Sequence, residues 1–188
     1  MTKPMTLAPS PPKDQLLPAL FLDRDGVINV DHGYVSEIEK FELVPGIVDA
    51  IRRFNERNWR VIVATNQSGI ARAFYTEKDM FTLHAHMESE LADAGARIDA
   101  IYHCPFHEEG EIEEYRRDSE LRKPRPGMLL QAMKDFPTEK RLSFMVGDKL
   151  SDVQAAESAG IHGFLYKEGD IDAFIEGAYH TMMALKRR

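Results

Sequence analysis

Apolar residues along this chain fall into short unbroken runs that alternate with longer periodic stretches. The runs at 19–22, 60–64, 98–102 and 142–146 are four or five residues long and mostly apolar, the pattern of strands buried on both faces. A weaker run at 163–166 adds a last strand. Between the runs the period becomes that of a helix. Ile47, Val48, Ile51 and Phe54 recur at helical spacing after Pro45-Gly46. Thr76-Glu77-Lys78-Asp79 reads as a capping box that opens a helix running to Ala94. Residues 126–136 and 151–159 complete the helical set, the second closed by Gly160.

Strands alternating with helices of this length imply right-handed crossovers and a doubly wound parallel sheet, an α/β fold with helices on both faces. In such sheets ligands bind at the carboxyl ends of the strands. Polar residues of chemical interest follow three of the runs: Asp23 and Asp25 after the first, Thr65 and Asn66 after the second, Asp148 after the fourth. Remote in sequence, they would meet in one crevice. Asp23 and Asp25, two apart on an extended chain, point to the same side, and Gly26 lets the backbone turn away. Two carboxylates facing one pocket need a cation between them or a shared proton, which makes a divalent metal the natural third party.

The composition narrows the class. With 188 residues, 43% hydrophobic and 29% charged, the chain is sized for one soluble domain, expected over 18–188 behind a loose proline-rich tail at 1–17. A net charge of −7 argues against a general nucleic-acid binder, and no apolar run is long enough for a membrane span. Cys104 is the only cysteine, so no intrachain disulfide can form, and a monomeric cytoplasmic protein is expected.

A carboxylate pair, a hydroxyl, a lysine and a further carboxylate at strand ends suit phosphoryl transfer. Asp23 would attack phosphorus to form an aspartyl phosphate, while Asp25 protonates the leaving oxygen and later activates water. Asp148 would bind the metal, Thr65 and Asn66 would offer donors to the phosphoryl group, and Lys123 would clamp it as a point charge. A receiver-like phospho-aspartate domain shares several of these groups, but a phosphorylation switch gains nothing from an acid at position 25.

At these residues the chain resembles the haloacid dehalogenase superfamily, through DRDGV at 23–27, TNQ at 65–67, RKP at 122–124 and GDKLSD at 147–152. The longer stretches FLDRDGVINVDHGYV, ATNQSGIARAFYTE and RKPRPGMLL are similar to its heptose-bisphosphate phosphatase family, with histidinol-phosphate phosphatases as the close alternative. The resemblance implies a Rossmann-like fold with only short cap insertions, at 29–44 and 103–121. It implies a small sugar phosphate as substrate and a role in nucleotide-heptose and lipopolysaccharide synthesis. Substrate contacts would come from Asp31, His32, Gly33, Tyr34, Thr65, Asn66, Gln67, Ser68, Arg122 and Lys123, with Lys149 nearby. Mg²⁺ would be held by Asp23, Asp148 and the main-chain carbonyl of Asp25.

One departure stands out. The family usually carries a structural zinc site in the loop before RKP, but the matching positions here are Cys104, Phe106, Ser119 and Leu121. One ligand of four does not make a closed tetrahedral site, so zinc is not expected. Packing of Phe106 and Leu121, with Ile112 or Tyr115, would close the loop instead. His84 and His86, two apart on a helix, read as surface or packing residues, and Asp152 as a residue that orients the Asp148 loop or caps the next helix.

Overall fold

The computed structural model describes residues 9–186. Its sheet has five parallel strands: β1 (Ala19–Leu22), β2 (Arg60–Asn66), β3 (Ala100–Cys104), β4 (Phe144–Gly147) and β5 (His162–Leu165). Their spatial order is β3-β2-β1-β4-β5. The helices are α1 (Ile47–Glu56), α2 (Glu77–Asp93), α3 (Gly127–Asp135), α4 (Leu150–Ala159) and α5 (Ile171–Lys186). The chain winds outward from β1 to β3 and then returns to the other side of β1 with β4. The crevice at that reversal lies between the carboxyl ends of β1 and β4.

Alternation along the strands divides the apolar residues between two cores. Leu20, Leu22, Val61, Val63, Phe144 and Val146 share one cluster with Ile47, Ile51 and Phe54 of α1 and Ile171, Ile175 and Met182 of α5. Ala19, Phe21, Ile62, Ala64 and Met145 share the other with Met128 and Leu129 of α3 and Ala155 and Ala156 of α4. Trp59, buried, meets Phe54, Phe144 and Tyr179 edge-on and anchors the turn into β2. The Thr76–Asp79 capping box forms in both directions, with the Asp79 amide donating to Thr76 Oγ1 and the Thr76 amide to Asp79 Oδ2.

The structure adds α5, a helix outside the expected set. Its pattern was present: Ile171, Ile175, Ala178 and Met182 are buried at helical spacing, and Asp170 Oδ1 accepts from the amides of Asp172 and Ala173 in the first turn. Arg57 bonds Glu176 and Arg53 bonds Asp172, tying α5 to α1. The expected loose tail also differs from Pro9 onward, while residues 1–8 lie outside the described residues. The buried Arg60 guanidinium donates to the carbonyls of Pro12, Lys13, Gln15 and Pro137, and Leu17 is buried. A guanidinium with its donors satisfied by carbonyls holds that segment against the domain.

Candidate active site

Asp23 follows β1 directly, and its amide donates to Val146 O of β4 at 3.0 Å, so the sheet ladder itself positions it. Lys123 Nζ lies 3.0 Å from Asp23 Oδ1 and 2.6 Å from Asp152 Oδ1, and donates to Ala64 O at 2.7 Å. The Lys123 backbone is clipped to β2 by Asn66, whose side-chain amide donates to Lys123 O and accepts from Lys123 N. Asp152 is the third residue of α4, and its Oδ2 accepts from the Lys149 amide in the capping role expected of it. It also does more. Carboxylate oxygens of Asp23, Asp148 and Asp152 all lie within 4.8 Å of one another. Two glycines make this closeness possible. A Cβ on Gly26 would stand 2.7 Å from Asp148 Oδ2, and one on Gly147 would stand 2.2 Å from Asp152 Cβ.

Asp23 and Asp152 therefore share the buried Lys123 ammonium, and Asp148 has only the half-exposed Lys149 near it, at 3.8 Å. Burial pushes Asp23 up to about 7, against the pull of Lys123 and with Asp152 and Asp25 adding to the rise. Burial works against the charge on Lys123, but Asp23 and Asp152 outweigh it and hold the ammonium above its ordinary range. Asp148 is raised by burial against the pull of Lys149, with Asp152 and Asp31 adding to the rise. Its Oδ1 is buried with no hydrogen-bond partner. An excess of negative charge, an orphaned oxygen and an all-oxygen donor set fit a hard divalent cation.

Asp25, two residues on, lines a cavity of about 530 Å³ with Asp31, Gly33, Tyr34, Arg122, Lys123 and Lys149. Four nitrogens surround its carboxylate. Arg24 donates through Nε and Nη2, at 3.2 and 2.8 Å to Oδ1; Asn29 Nδ2 and Gln67 Nε2 each lie at 3.1 Å. Gln67 is buried and spends its other contacts on Thr65 Oγ1 and the Tyr75 hydroxyl. It faces the interior beneath the cavity, as does the buried Thr65. Arg24 is fully buried, and its Nη1 lies 3.2 Å from His84 Nε2 of α2. His84 is also buried, on the stripe Met80, Leu83, His84, Met87, Leu91. That helical stripe was the available sign that His84 faces inward while His86 does not.

A family model described as HAD-hydrolase-like matches residues 120–179. The D-glycero-beta-D-manno-heptose-1,7-bisphosphate 7-phosphatase of Escherichia coli K12 is 50% identical over 145 residues, covering 77% of this chain and 76% of that one. The enzyme of the same name from Rhodopseudomonas palustris is 48% identical over 159 residues, 85% and 88% of the two chains. This chain belongs to the same phosphatase family. Solved structures agree. A HAD-like phosphatase of Mesorhizobium loti aligns over 97% of this chain and 96% of its own, with a TM-score of 0.84 and 32% identity. The D,D-heptose 1,7-bisphosphate phosphatase of B. bronchiseptica, complexed with magnesium and phosphate, aligns over 88% and 99% with a TM-score of 0.77 and 29% identity.

In this phosphatase the two insertions flank the cavity. From the first, Asp31 and Gly33 reach the lining, and Tyr34 meets Phe74 edge-on at 4.7 Å. Lys149 Nζ spans the mouth, 3.4 Å from Asp31 Oδ2 and 3.8 Å from Asp148 Oδ2. His32 instead lies 3.7 Å from Glu42 and is absent from the cavity lining. Arg122 stands where the cavity adjoins a second groove lined by His107, Glu108, Asp118 and Arg125. Its Nη1 donates to Phe106 O at 3.4 Å. In the second insertion Phe106 packs against Tyr115, their ring centroids 6.2 Å apart, and the Arg117 guanidinium lies 3.8 Å over the Phe106 ring. Phe106 and Leu121 join the core beneath α3, while Ile112 is exposed. The amides of Glu111 and Ile112 both donate to Ala71 O, which pins the loop to the segment after β2. His103 faces Glu77 and Phe81, and His107 faces Arg72, so the two histidines of this loop are separately engaged.

Proposed function

We propose that this enzyme removes the 7-phosphate of D-glycero-D-manno-heptose 1,7-bisphosphate, as a cytoplasmic monomer serving nucleotide-heptose and lipopolysaccharide synthesis. The observation that carries the reading is the buried Asp23–Lys123–Asp152 cluster, with the unpartnered Asp148 oxygen beside it and Asp25 at the neighbouring cavity. Asp23, Asp148 and the main-chain carbonyl of Asp25 would hold Mg²⁺. When bound, the cation supplies positive charge that keeps Asp23 ionised and offsets its repulsion from the phosphate oxygens. Magnesium and phosphate in the B. bronchiseptica enzyme support the choice of ion.

An Asp23 carboxylate oxygen attacks phosphorus, and the bond from phosphorus to the sugar oxygen breaks as Asp25 delivers a proton to the departing alkoxide. Water then attacks the aspartyl phosphate while Asp25 takes its proton; the phosphorus–Asp23 bond breaks and inorganic phosphate leaves. Lys123, fixed by Asp152 and Ala64 O, presents a charge to the equatorial phosphoryl oxygens without reorganising. Arg122 and Lys149, both in the lining, would meet the distal phosphate and the sugar hydroxyls together with Asp31. The test is kcat/KM for heptose 1,7-bisphosphate against histidinol phosphate, with and without Mg²⁺. A preference of at least about tenfold for the bisphosphate is expected, from one added charge-assisted contact. An equal or reversed preference overturns the substrate.

A further inference from the structure

Asp25 has to hold its proton toward a leaving oxygen and later accept one from water, so the direction of its carboxylate matters to both half-reactions. Arg24 is bonded to both of its oxygens. Its guanidinium bonds the Asp25 carboxylate through Nε and Nη2, while Nη2 also donates to Val35 O at 2.8 Å. Nη1 points the other way, at His84 Nε2. A guanidinium has only donors, so Nε2 must be the accepting nitrogen of a neutral ring whose proton is on Nδ1. Burial, with Arg24 and His103 adding to it, holds His84 well down, to about 3, consistent with that neutral form. The Arg24 side chain is fully buried, and its partners come from three places: the nucleophile turn, the first insertion and the middle of α2. Losing the acceptor at His84 would leave one end of a buried guanidinium unpaired, and the plane that orients Asp25 would be free to swing.

Resting on the phosphatase reading above, we infer that Arg24 is the positioning residue of the acid/base Asp25, and that neutral His84 on α2 is the acceptor that keeps Arg24 in place. Neither residue touches substrate. Their effect should appear only where proton delivery to the leaving group limits the reaction.

The experiment compares two leaving groups. Sugar phosphates leave as basic alkoxides that need a proton, whereas p-nitrophenyl phosphate loses a stable anion that does not. With each substrate, kcat/KM is measured for the parent, His84→Leu and His84→Gln. For the sugar bisphosphate, His84→Leu should lower kcat/KM about 10- to 100-fold, the range of a misplaced acid. For p-nitrophenyl phosphate the loss should stay under about threefold, and the Gln variant, whose amide oxygen can accept from Arg24, should recover most of the bisphosphate activity. Equal losses on both substrates, or no loss on the bisphosphate, overturn the inference. If the leucine variant does not fold by circular dichroism, His84→Phe removes the same acceptor within a ring of similar shape and is judged by the same ratio. A parent that ignores heptose bisphosphate but cleaves another sugar phosphate overturns the substrate reading alone, and the ratio is then taken on that ester. A parent inactive on every sugar phosphate overturns both.

Discussion

At the carboxyl ends of β1 and β4, Asp23 and Asp152 are buried around the Lys123 ammonium, and each is also tied to backbone or to a helix start. On the exposed side of the same cavity, Lys149 and Asp31 make an ion pair at 3.4 Å with the lysine side chain 58% exposed, and Tyr34 leans on Phe74 at the surface. Both regions carry charged groups at one cavity, yet they are held by different physics. In the first, low dielectric makes each charge depend on the others, so the sheet must fix all of them at once. In the second, water screens the pairs and their geometry is loosely enforced. The reacting centre is thus rigid by electrostatic necessity, and the cover is free to change with the substrate.

Substitutions that ought to act on only one side test this contrast. Asp23→Asn should abolish turnover, by at least about a thousandfold, since no other buried carboxylate can take over as nucleophile. In metal-free buffer its melting temperature should match or exceed that of the parent, because an amide removes one of three crowded carboxylates. A clear fall in melting temperature would show that the crowding argument is wrong. Lys123→Met should cost about 3–5 kcal/mol in urea unfolding, the penalty for leaving Asp23 and Asp152 uncompensated. Lys149→Met, which removes an equally charged group from the cover, should cost under about 1 kcal/mol. Similar costs for the two lysines would erase the distinction between the regions.

The same contrast governs what the sequence discloses. Asp23, Asp148 and Lys123 could be read in advance because each lies at the end of an apolar run or beside a short motif, and the alternation of elements dictates that such ends converge. The β-strands and four helices are legible from periodicity; α5 lies beyond the last expected strand and carries no motif, although its buried stripe is regular. Asp152 announced itself as a cap, but its place in the carboxylate triangle depends on the spacing of β1 and β4, which only the fold sets. Gln67 was expected to reach the substrate and is turned inward to Asp25 and Thr65. Arg24 and His84 were hidden for a related reason. A buried guanidinium is tolerable only once residues 25, 35 and 84 come together, and nothing local encodes that meeting.

Within the cover, Arg122 and the second insertion offer finer tests. Arg122→Ala should raise KM for a bisphosphate about 10- to 100-fold while changing kcat much less, and should leave a monophosphate ester nearly unaffected. A matching loss on the monophosphate would move Arg122 from distal anchor to reacting centre. Phe106→Ala should cost about 1–2 kcal/mol, because the ring sits between Tyr115 and the Arg117 guanidinium rather than at a metal. Stoichiometric zinc in protein prepared in metal-free buffer would break this account of the loop.

A last test concerns the pH dependence set by His84, which packs behind the cavity on α2. Its folded pKa of about 3 lies below the ordinary 6.5, first because it is buried and then because Arg24 faces it. Between these values the unfolded chain binds a proton that the folded chain refuses, so stability rises with pH across the window and the contribution is complete above 6.5. Acidification should therefore remove up to about 1.4 kcal/mol per pH unit on account of this one group. In His84→Gln, which cannot titrate, the slope between roughly pH 6 and pH 5 should be shallower by about that amount in urea unfolding. Parallel slopes would mean that His84 takes up its proton in the folded protein, and a cationic ring cannot accept from Arg24.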